Sequence, residues 1–418
     1  MKANITTQIG GYLFDFNEID IKAKVSRLDV HKDGRVTGEL TMSSGNKTIL
    51  MPSSIFNFSS AQTRSVTAGQ MWKKFPDNHT NWAELFDFLA HKTQELAKEG
   101  EPAREVWAEN DAEAPEFLLE PIIYKNQSNI IYGEKGVSKS TMAYAMGMCM
   151  ALPWHNNPLE FAVPNKPTVS LVLDWETDEK TFAYYLSRLK RGMNCPRVGM
   201  YYRHCRLPLM EELEEIERYI SDVKADLLII DSIAMAAGGE TGELKGSQSA
   251  LSFNTALRKL KRTSLCIGQT SKDISSPRKT IFGSAMFTYY ARNILELCRH
   301  EEEDTSDVHL ALFHRECNLG RKHQPMGFCL TFDDANRSLS IKRESVTVSE
   351  FVGKVTSQNA VADALKSGLK TVKDIKEVTG LKENNIRTSL SRLKSLDKVT
   401  KIGDRWGLRA YHQEDMSF

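Results

Sequence analysis

Gly133-Glu134-Lys135-Gly136-Val137-Ser138-Lys139-Ser140-Thr141 is the stretch on which the reading of this 418-residue chain turns. It follows an apolar strand candidate, NIIY, and precedes TMAYAMGMCMA, a run of strong helix formers. A tight loop between a strand and a helix N-terminus offers backbone N–H groups and the positive end of the helix dipole to an anion. The order strand, glycine-bearing loop, Lys-Ser, helix therefore predicts that residues 133–141 wrap the phosphates of a nucleotide. Lys139 then reaches the β- and γ-phosphates, and the Ser140 hydroxyl ligates Mg²⁺. One position departs from the usual G-x-x-x-x-G-K-[ST] pattern, because Ser138 stands where glycine precedes the lysine. Serine fits there if its φ is negative, whereas a left-handed φ costs about 1 kcal/mol or more.

Working outward, ADLLIID delivers Asp231, followed by Ser232, at the end of an apolar strand, where a carboxylate can hold the water shell of a metal. TVSLVLDWETDE places Asp174, Glu176 and Asp178 just beyond another buried strand, where a carboxylate can deprotonate an attacking water. Alternation puts Asp174 and Glu176 on one side of the chain, so the sequence leaves both open as the base. SNIIYG, TVSLVLDW, ADLLIID and SLCIGQT are near-continuous apolar runs with helix-sized gaps between them. Core strands of a parallel sheet covered on both faces read this way. ARNILELC, VHLALFH and GFCLTFD are further strand candidates.

On either side of this α/β region the texture changes. IDIKAKVSRLDV and RVTGELTM flank Asp33-Gly34, a hairpin signal in which a type I′ turn puts both central residues at positive φ. Trp82, Leu85, Phe86 and Leu89 recur at helical spacing. Phe14, Phe16, Phe56, Phe58 and Trp72 suit either a small β core or base stacking. The acidic, Pro-punctuated segment Glu99–Glu116 reads as a linker. Past Val346 the chain reads as helix, helix, turn, helix and a two-stranded wing, with Thr371 and Gly380 as helix start and stop. Residues 346–410 carry 13 Lys/Arg against 7 Asp/Glu, a net +6, in a chain whose total is only +1. Any pull on nucleic acid is therefore local. Asn384, Asn385, Arg387, Thr388, Ser391, Arg392 and Lys394 lie along the candidate recognition helix, with Lys401 and Arg405 on the wing. Such a module contacts DNA or serves only as a protein-docking surface.

At 41% hydrophobic and 26% charged residues the composition is that of a soluble protein, and no apolar run approaches the roughly 20 residues that cross a bilayer. Seven scattered cysteines form no CxxC pair and no Cys/His metal spacing, which reads as reduced thiols in a cytoplasmic protein.

The order of these pieces resembles the ATPase core of RecA-like P-loop proteins. Within that group it is most similar to the plasmid RepA-type and DnaB-type hexameric helicases, over about Phe117–Arg343. The resemblance implies an α/β fold: a RecA-like core with a mostly parallel sheet covered by helices (106–345), preceded by a small β-rich α+β domain (1–105) and followed by a winged-helix domain (346–418). It implies ATP and Mg²⁺ as ligands, Glu176 as general base and Asp231 as the metal-side aspartate. Gln269 is implied as the sensor at the end of the fourth strand, and Lys272 as the lysine of an H-x-x-K pattern. Phe282-Gly283-Ser284 and Arg292 also fit this group, with Arg292 either at a subunit interface or on a helix surface. FHRECNLGRKHQPMGFCLTFD resembles the DnaB-type strand pair that delivers a cation to a neighbouring subunit. Arg315 falls at its lysine position and Cys317 at its arginine-finger position, leaving Arg321 or Lys322 to substitute. The implied assembly is a homo-hexamer or other ring around single-stranded DNA, with duplex DNA on the winged module. Ala234–Ser249 reads as a channel loop or a plain connection. A helicase or translocase of a plasmid, phage or mobile element, an ATP-switched initiator or loader, and a recombinase-like filament are the readings that remain open.

Overall fold

The computed structural model describes residues 1–45, 47–76, 80–100, 103, 105–107, 114–196, 198–239, 243–270, 286–301, 307–346, 357–395 and 398–409. Two compact units divide the chain. One comprises Met1–Ala114, Leu209–Asp222 and Arg258–Leu260, and the other Pro115–Pro208, Val223–Leu257 and Lys261–Phe418.

In the first unit, β1 (Asn4–Gln8), β2 (Gly11–Phe16), β3 (Ile21–Val30), β4 (Val36–Ser44) and β5 (Ile49–Asn57) form an antiparallel meander in sequence order. The β3–β4 turn closes with a His31 N–H to Arg35 carbonyl bond, and at Asp33-Gly34 only Gly34 takes positive φ (82°). The hairpin is real, but its loop is longer than a two-residue type I′ turn. Helices α1 (Ala61–Lys74) and α2 (Trp82–Glu99) follow. The Asn81 side chain caps α2 by accepting from the Glu84 N–H, and the helix buries Trp82, Leu85, Phe86 and Leu89. Phe14, Phe16, Phe56 and Phe58 are fully buried in the same core, which removes them as base-stacking surfaces; only Trp72 is exposed.

The second unit starts with β6 (Phe117–Leu119) and β7 (Ile123–Tyr124), a small hairpin. Then come β8 (Ser128–Gly133), α3 (Lys139–Ala151), β9 (Ser170–Asp174), α4 (Glu179–Gly192), β10 (Tyr201–His204), α5 (Leu213–Val223), β11 (Leu227–Asp231), α6 (Ile233–Ala236), α7 (Glu243–Leu260) and β12 (Thr263–Gln269). Of these, α5 falls almost wholly in the first unit, where its Glu214 pairs with Lys24 at 2.7 Å. The chain continues through α8 (Met286–Tyr290), β13 (Asn293–Glu301), β14 (Asp307–Cys317), β15 (Met326–Asp333) and β16 (Ser338–Glu344).

One nine-stranded sheet results, in the order β10-β9-β11-β12-β8-β13-β14-β15-β16. The first six strands run parallel and the last three extend the sheet antiparallel. This is the RecA-like arrangement: β12 separates the strand entering the phosphate loop, β8, from the strand ending at Asp231, β11. Apolar side chains cover both faces of the parallel half, and α3 is buried almost all round, as a helix hydrophobic on every side must be. All seven quoted strand segments are strands. The short edge strand β10 and the outer strand β16 are additional. Ala234–Ser249 departs from the loop reading. Within it, α6 covers residues up to 236 and α7 begins at Glu243, so the connection narrows to the vicinity of Gly238 and Gly239, both at positive φ.

At the C-terminal end, α9 (Ser357–Ala364), α10 (Val372–Thr379), α11 (Glu383–Ser395), β17 (Val399–Ile402) and β18 (Arg405–Leu408) enclose their own small core around Ile375, Ile386, Leu390 and Leu393. Thr371 and Asp374 form a reciprocal capping box at the start of α10, and Gly380 ends it in the left-handed conformation. Ala360 of α9 packs on Cys298, Ala311 and Phe313 of the large sheet.

Candidate active site

Parallel strands β8, β9, β11 and β12 bring their carboxyl ends together, and the polar side chains at those ends converge. Gly133 closes β8 where a Cβ would sit 2.3 Å from the Leu297 carbonyl oxygen, so that only glycine fits. Gly136 takes φ 84°, and Ser138 takes φ 63°, ψ 33°, the left-handed conformation. The serine that replaces glycine therefore pays the steric cost the sequence left conditional. Its side chain makes no capping bond to α3, so nothing local offsets that cost.

Lys139 opens α3, is only 7% exposed, and donates from Nζ to the carbonyl oxygens of Gly133 (3.1 Å) and Glu134 (2.7 Å). Burial pulls its pKa down, while Asp231, Glu176 and Glu134 push it up. Ser140 donates from Oγ to Asp231 Oδ2 at 2.5 Å, and Tyr144, one helical turn later, donates to the same oxygen at 3.4 Å. Asp231 is 6% exposed; burial pushes its pKa up to about 6, the Ser140 hydrogen bond opposes, Glu176 and Asp174 add, and Lys139 opposes. Three carboxylates thus converge near one lysine.

Geometry separates the carboxylates beyond β9. Asp174 is buried and accepts from the N–H groups of Glu176 (2.8 Å) and Thr177 (3.0 Å), the Thr177 hydroxyl (2.5 Å) and the Tyr202 hydroxyl (3.2 Å). Its oxygens are spent on holding the turn. Asp178 caps α4 by accepting from the Thr181 N–H at 2.7 Å. Glu176 is exposed, accepts at Oε1 from the Ser232 hydroxyl, and lies 3.4 Å from the Gln269 amide nitrogen. Of the three, Glu176 alone faces Ser232 and Gln269.

The remaining positions scatter. Glu134, Lys135, Val137 and Thr141 complete the loop and the first turn of α3. Lys272, with Phe282-Gly283-Ser284, lies outside the described residues. Arg315 sits over the Phe313 ring and is ion-paired with Glu296 on β13, its Nε 2.6 Å from Oε2. Cys317 donates to the Tyr124 hydroxyl at 3.5 Å. Cys317 pairs with Asn293, at the start of β13, so Arg292 and exposed Arg321 lie at the sheet end opposite the phosphate loop, whereas Arg315 sits at the bulge beside Leu295 and reaches Glu296, the partner of Tyr132 on β8. Arg299, which the sequence reading did not single out, donates from a terminal guanidinium nitrogen to the Gly136 carbonyl at 2.6 Å. Tyr144 was also missed, although its position four residues after Ser140 on one helix was a usable signal.

In the C-terminal module Asn384, Asn385, Arg387, Thr388, Ser391, Arg392 and Lys394 are all exposed along α11, while Ile386, Ser389, Leu390 and Leu393 turn inward. Lys401 and Arg405 are exposed on the β17–β18 hairpin. No described helix is long and apolar enough to cross a membrane, and all seven cysteines are free.

A family model described as an AAA domain matches residues 95–273. No curated protein matches the chain. Among solved structures, a KaiC-like protein from the hyperthermophilic archaeon Pyrococcus horikoshii is 17% identical, over 57% of this chain and 99% of that one, with a TM-score of 0.37. The loop at residues 133–141 and the strand order make the core a RecA-like P-loop fold, and the AAA-domain match falls on this region of the chain.

Proposed function

We propose that this chain is a Mg²⁺-dependent ATPase that drives a DNA helicase or translocase of the RepA/DnaB-like type, acting as a ring in the replication or maintenance of a plasmid, phage or mobile element. The observation that carries the ATPase is the convergence of Lys139 and Ser140, at the start of α3, with Asp231 and Glu176, at the carboxyl ends of β11 and β9. Ser140 and Asp231, 2.5 Å apart in a pocket of surplus negative charge, suit a hard divalent cation. Bound there, Mg²⁺ would neutralise charge developing on the β- and γ-phosphate oxygens. Lys139 leaves the Gly133 and Glu134 carbonyls for the phosphate oxygens. Glu176, oriented by the Ser232 hydroxyl, takes a proton from the attacking water. Gln269, at the tip of β12, stands within reach of Glu176 and reads whether the γ-phosphate is present.

The DNA part rests on the exposed, basic face of α11 with its adjoining hairpin, which we read as a winged helix whose recognition helix enters a major groove. A ring with ATP between protomers accounts for Arg292 and Arg321 lying away from their own loop. The test is ATP turnover with and without single-stranded DNA, together with displacement of an annealed oligonucleotide. DNA-stimulated turnover and displacement, both lost in Lys139→Ala, are expected. No Mg²⁺-dependent turnover under any of these conditions refutes the ATPase.

One observation favours a second reading, an ATP-switched initiator or loader without unwinding. Cys317 replaces the finger and Arg315 is tied to Glu296, so the trans cation that supplies about 10³–10⁵ in rate in related phosphoryl transfers falls to exposed Arg321 or Lys322, off the finger position. Slow turnover with tight, sequence-specific duplex binding supports that reading.

A further inference from the structure

Linear spacing gives no metal motif, yet strand register in the antiparallel half of the sheet assembles one. His309 on β14 pairs directly with Cys329 on β15, and Glu344 on β16 pairs with Gly327, two residues from Cys329 on the same face. Nδ1 of His309, Sγ of Cys329 and a carboxylate oxygen of Glu344 all lie within 4.8 Å of one another. All three residues are partly exposed, so an ion can reach them. We propose that His309, Cys329 and Glu344 form a binding site for a zinc-class divalent metal ion.

The donor set argues for that class. One imidazole, one thiolate and one carboxylate suit Zn²⁺ or Co²⁺, whereas Mg²⁺ and Ca²⁺ take oxygen alone. Bonds of about 2.0–2.3 Å at tetrahedral angles set ligand atoms roughly 3.5 Å apart, so the trio closes on an ion by about 1 Å of side-chain adjustment. His309 Nδ1 and Glu344 Oε1 already share a hydrogen at 2.8 Å, which the ion replaces. On binding, the Cys329 S–H bond gives way to a sulfur–metal bond and its proton leaves to solvent. The hydrogen on His309 Nδ1 also leaves through solvent, so that the neutral imidazole binds through a bare Nδ1 with its one proton on Nε2. Water fills the fourth position.

The surroundings suit a cation. Burial raises the Cys329 thiol's pKa and the Thr331 hydroxyl opposes, while Asp307 and Glu344 push it up and Lys342 pulls it down. The two carboxylates that disfavour a bare thiolate also attract a divalent ion that stabilises it. Thr331 fixes this edge of the site, donating to Asp307 Oδ1 at 2.6 Å with its hydroxyl 3.8 Å from Cys329 Sγ. An ion here clips β14, β15 and the outer strand β16 together, on the sheet face where Ala311 and Phe313 meet α9.

The test uses the purified full chain, dialysed against Zn²⁺ with excess Mg²⁺ present to occupy oxygen-only sites. One zinc per chain is expected by plasma mass spectrometry. Co²⁺ in its place is expected to show four-coordinate ligand-field bands and a thiolate charge-transfer band. Cys329→Ser should abolish the charge-transfer band and His309→Ala should weaken binding roughly tenfold or more. Cys317→Ser, outside the trio, should leave both signals intact. Circular dichroism of the metal-free variants establishes that they fold. Zinc that fails to survive dialysis, or that Cys329→Ser and His309→Ala retain equally, overturns the proposal and leaves a His309–Glu344 ion pair.

Discussion

Replacing Ser138 by glycine is expected to stabilise the phosphate loop without emptying it. Ser138 sits at φ 63°, ψ 33° and its side chain makes no cap bond to α3, so the substitution forfeits no local hydrogen bond. A left-handed L-residue costs about 1–2 kcal/mol. Glycine returns about 0.5–1 kcal/mol of that through its freer unfolded chain. The net gain is about 0.5–1 kcal/mol, or roughly 1–4 °C for a unit of this size. The measurement is thermal unfolding, followed on the transition that ATP with Mg²⁺ raises, since that transition belongs to the nucleotide-binding core. Ser138→Val supplies the opposite arm, because a β-branched side chain is a severe outlier at positive φ; its midpoint should fall. ATP binding should persist in Ser138→Gly, since the loop N–H groups keep their directions. A lower midpoint for the glycine variant, or an unchanged one for the valine variant, means that position 138 is not held left-handed.

Glu176→Gln is expected to retain ATP while lowering turnover by about 10²–10⁴, the usual contribution of a positioned base; equal turnover in rapid-quench assays moves the base elsewhere. Asp231 ties stability to pH: a folded pKa of about 6 against an ordinary 3.8 means that ionising it opposes folding. The penalty is absent below about pH 4, grows between pH 4 and 6, and reaches about 3 kcal/mol at most above that. Without Mg²⁺, Asp231→Asn should therefore flatten the fall in thermal midpoint across pH 4–6 and raise the midpoint at pH 7, while abolishing Mg²⁺-dependent turnover. Arg387→Ala and Arg392→Ala should each weaken DNA binding in fluorescence anisotropy, lowering the slope of affinity against salt by about one if the residue meets a phosphate. Unchanged anisotropy curves for both assign α11 to another partner.

The parallel core was legible because β8, β9, β11 and β12 are buried on both faces, and continuous apolar runs are what such burial leaves in a sequence. β16 carries a weaker alternation, Leu339 and Ile341 against Ser340 and Lys342, that a search for unbroken runs passes over. β10 is four residues long at the sheet edge, with too little apolar content to register. The choice between Asp174 and Glu176 needed hydrogen-bond partners, since both follow the same strand on the same side. Arg299 carries no local signal at all; its reach to Gly136 follows from the pairing of β13 with β8. Register likewise joins His309, Cys329 and Glu344, which lie far apart along the chain.

Arg299 and its neighbour Cys298 make β13 a mechanical link. Cys298 packs beneath α9, and the next residue holds the carbonyl of Gly136. The C-terminal module and the bend at Gly136 therefore lean on adjacent residues of one strand, a single peptide unit apart.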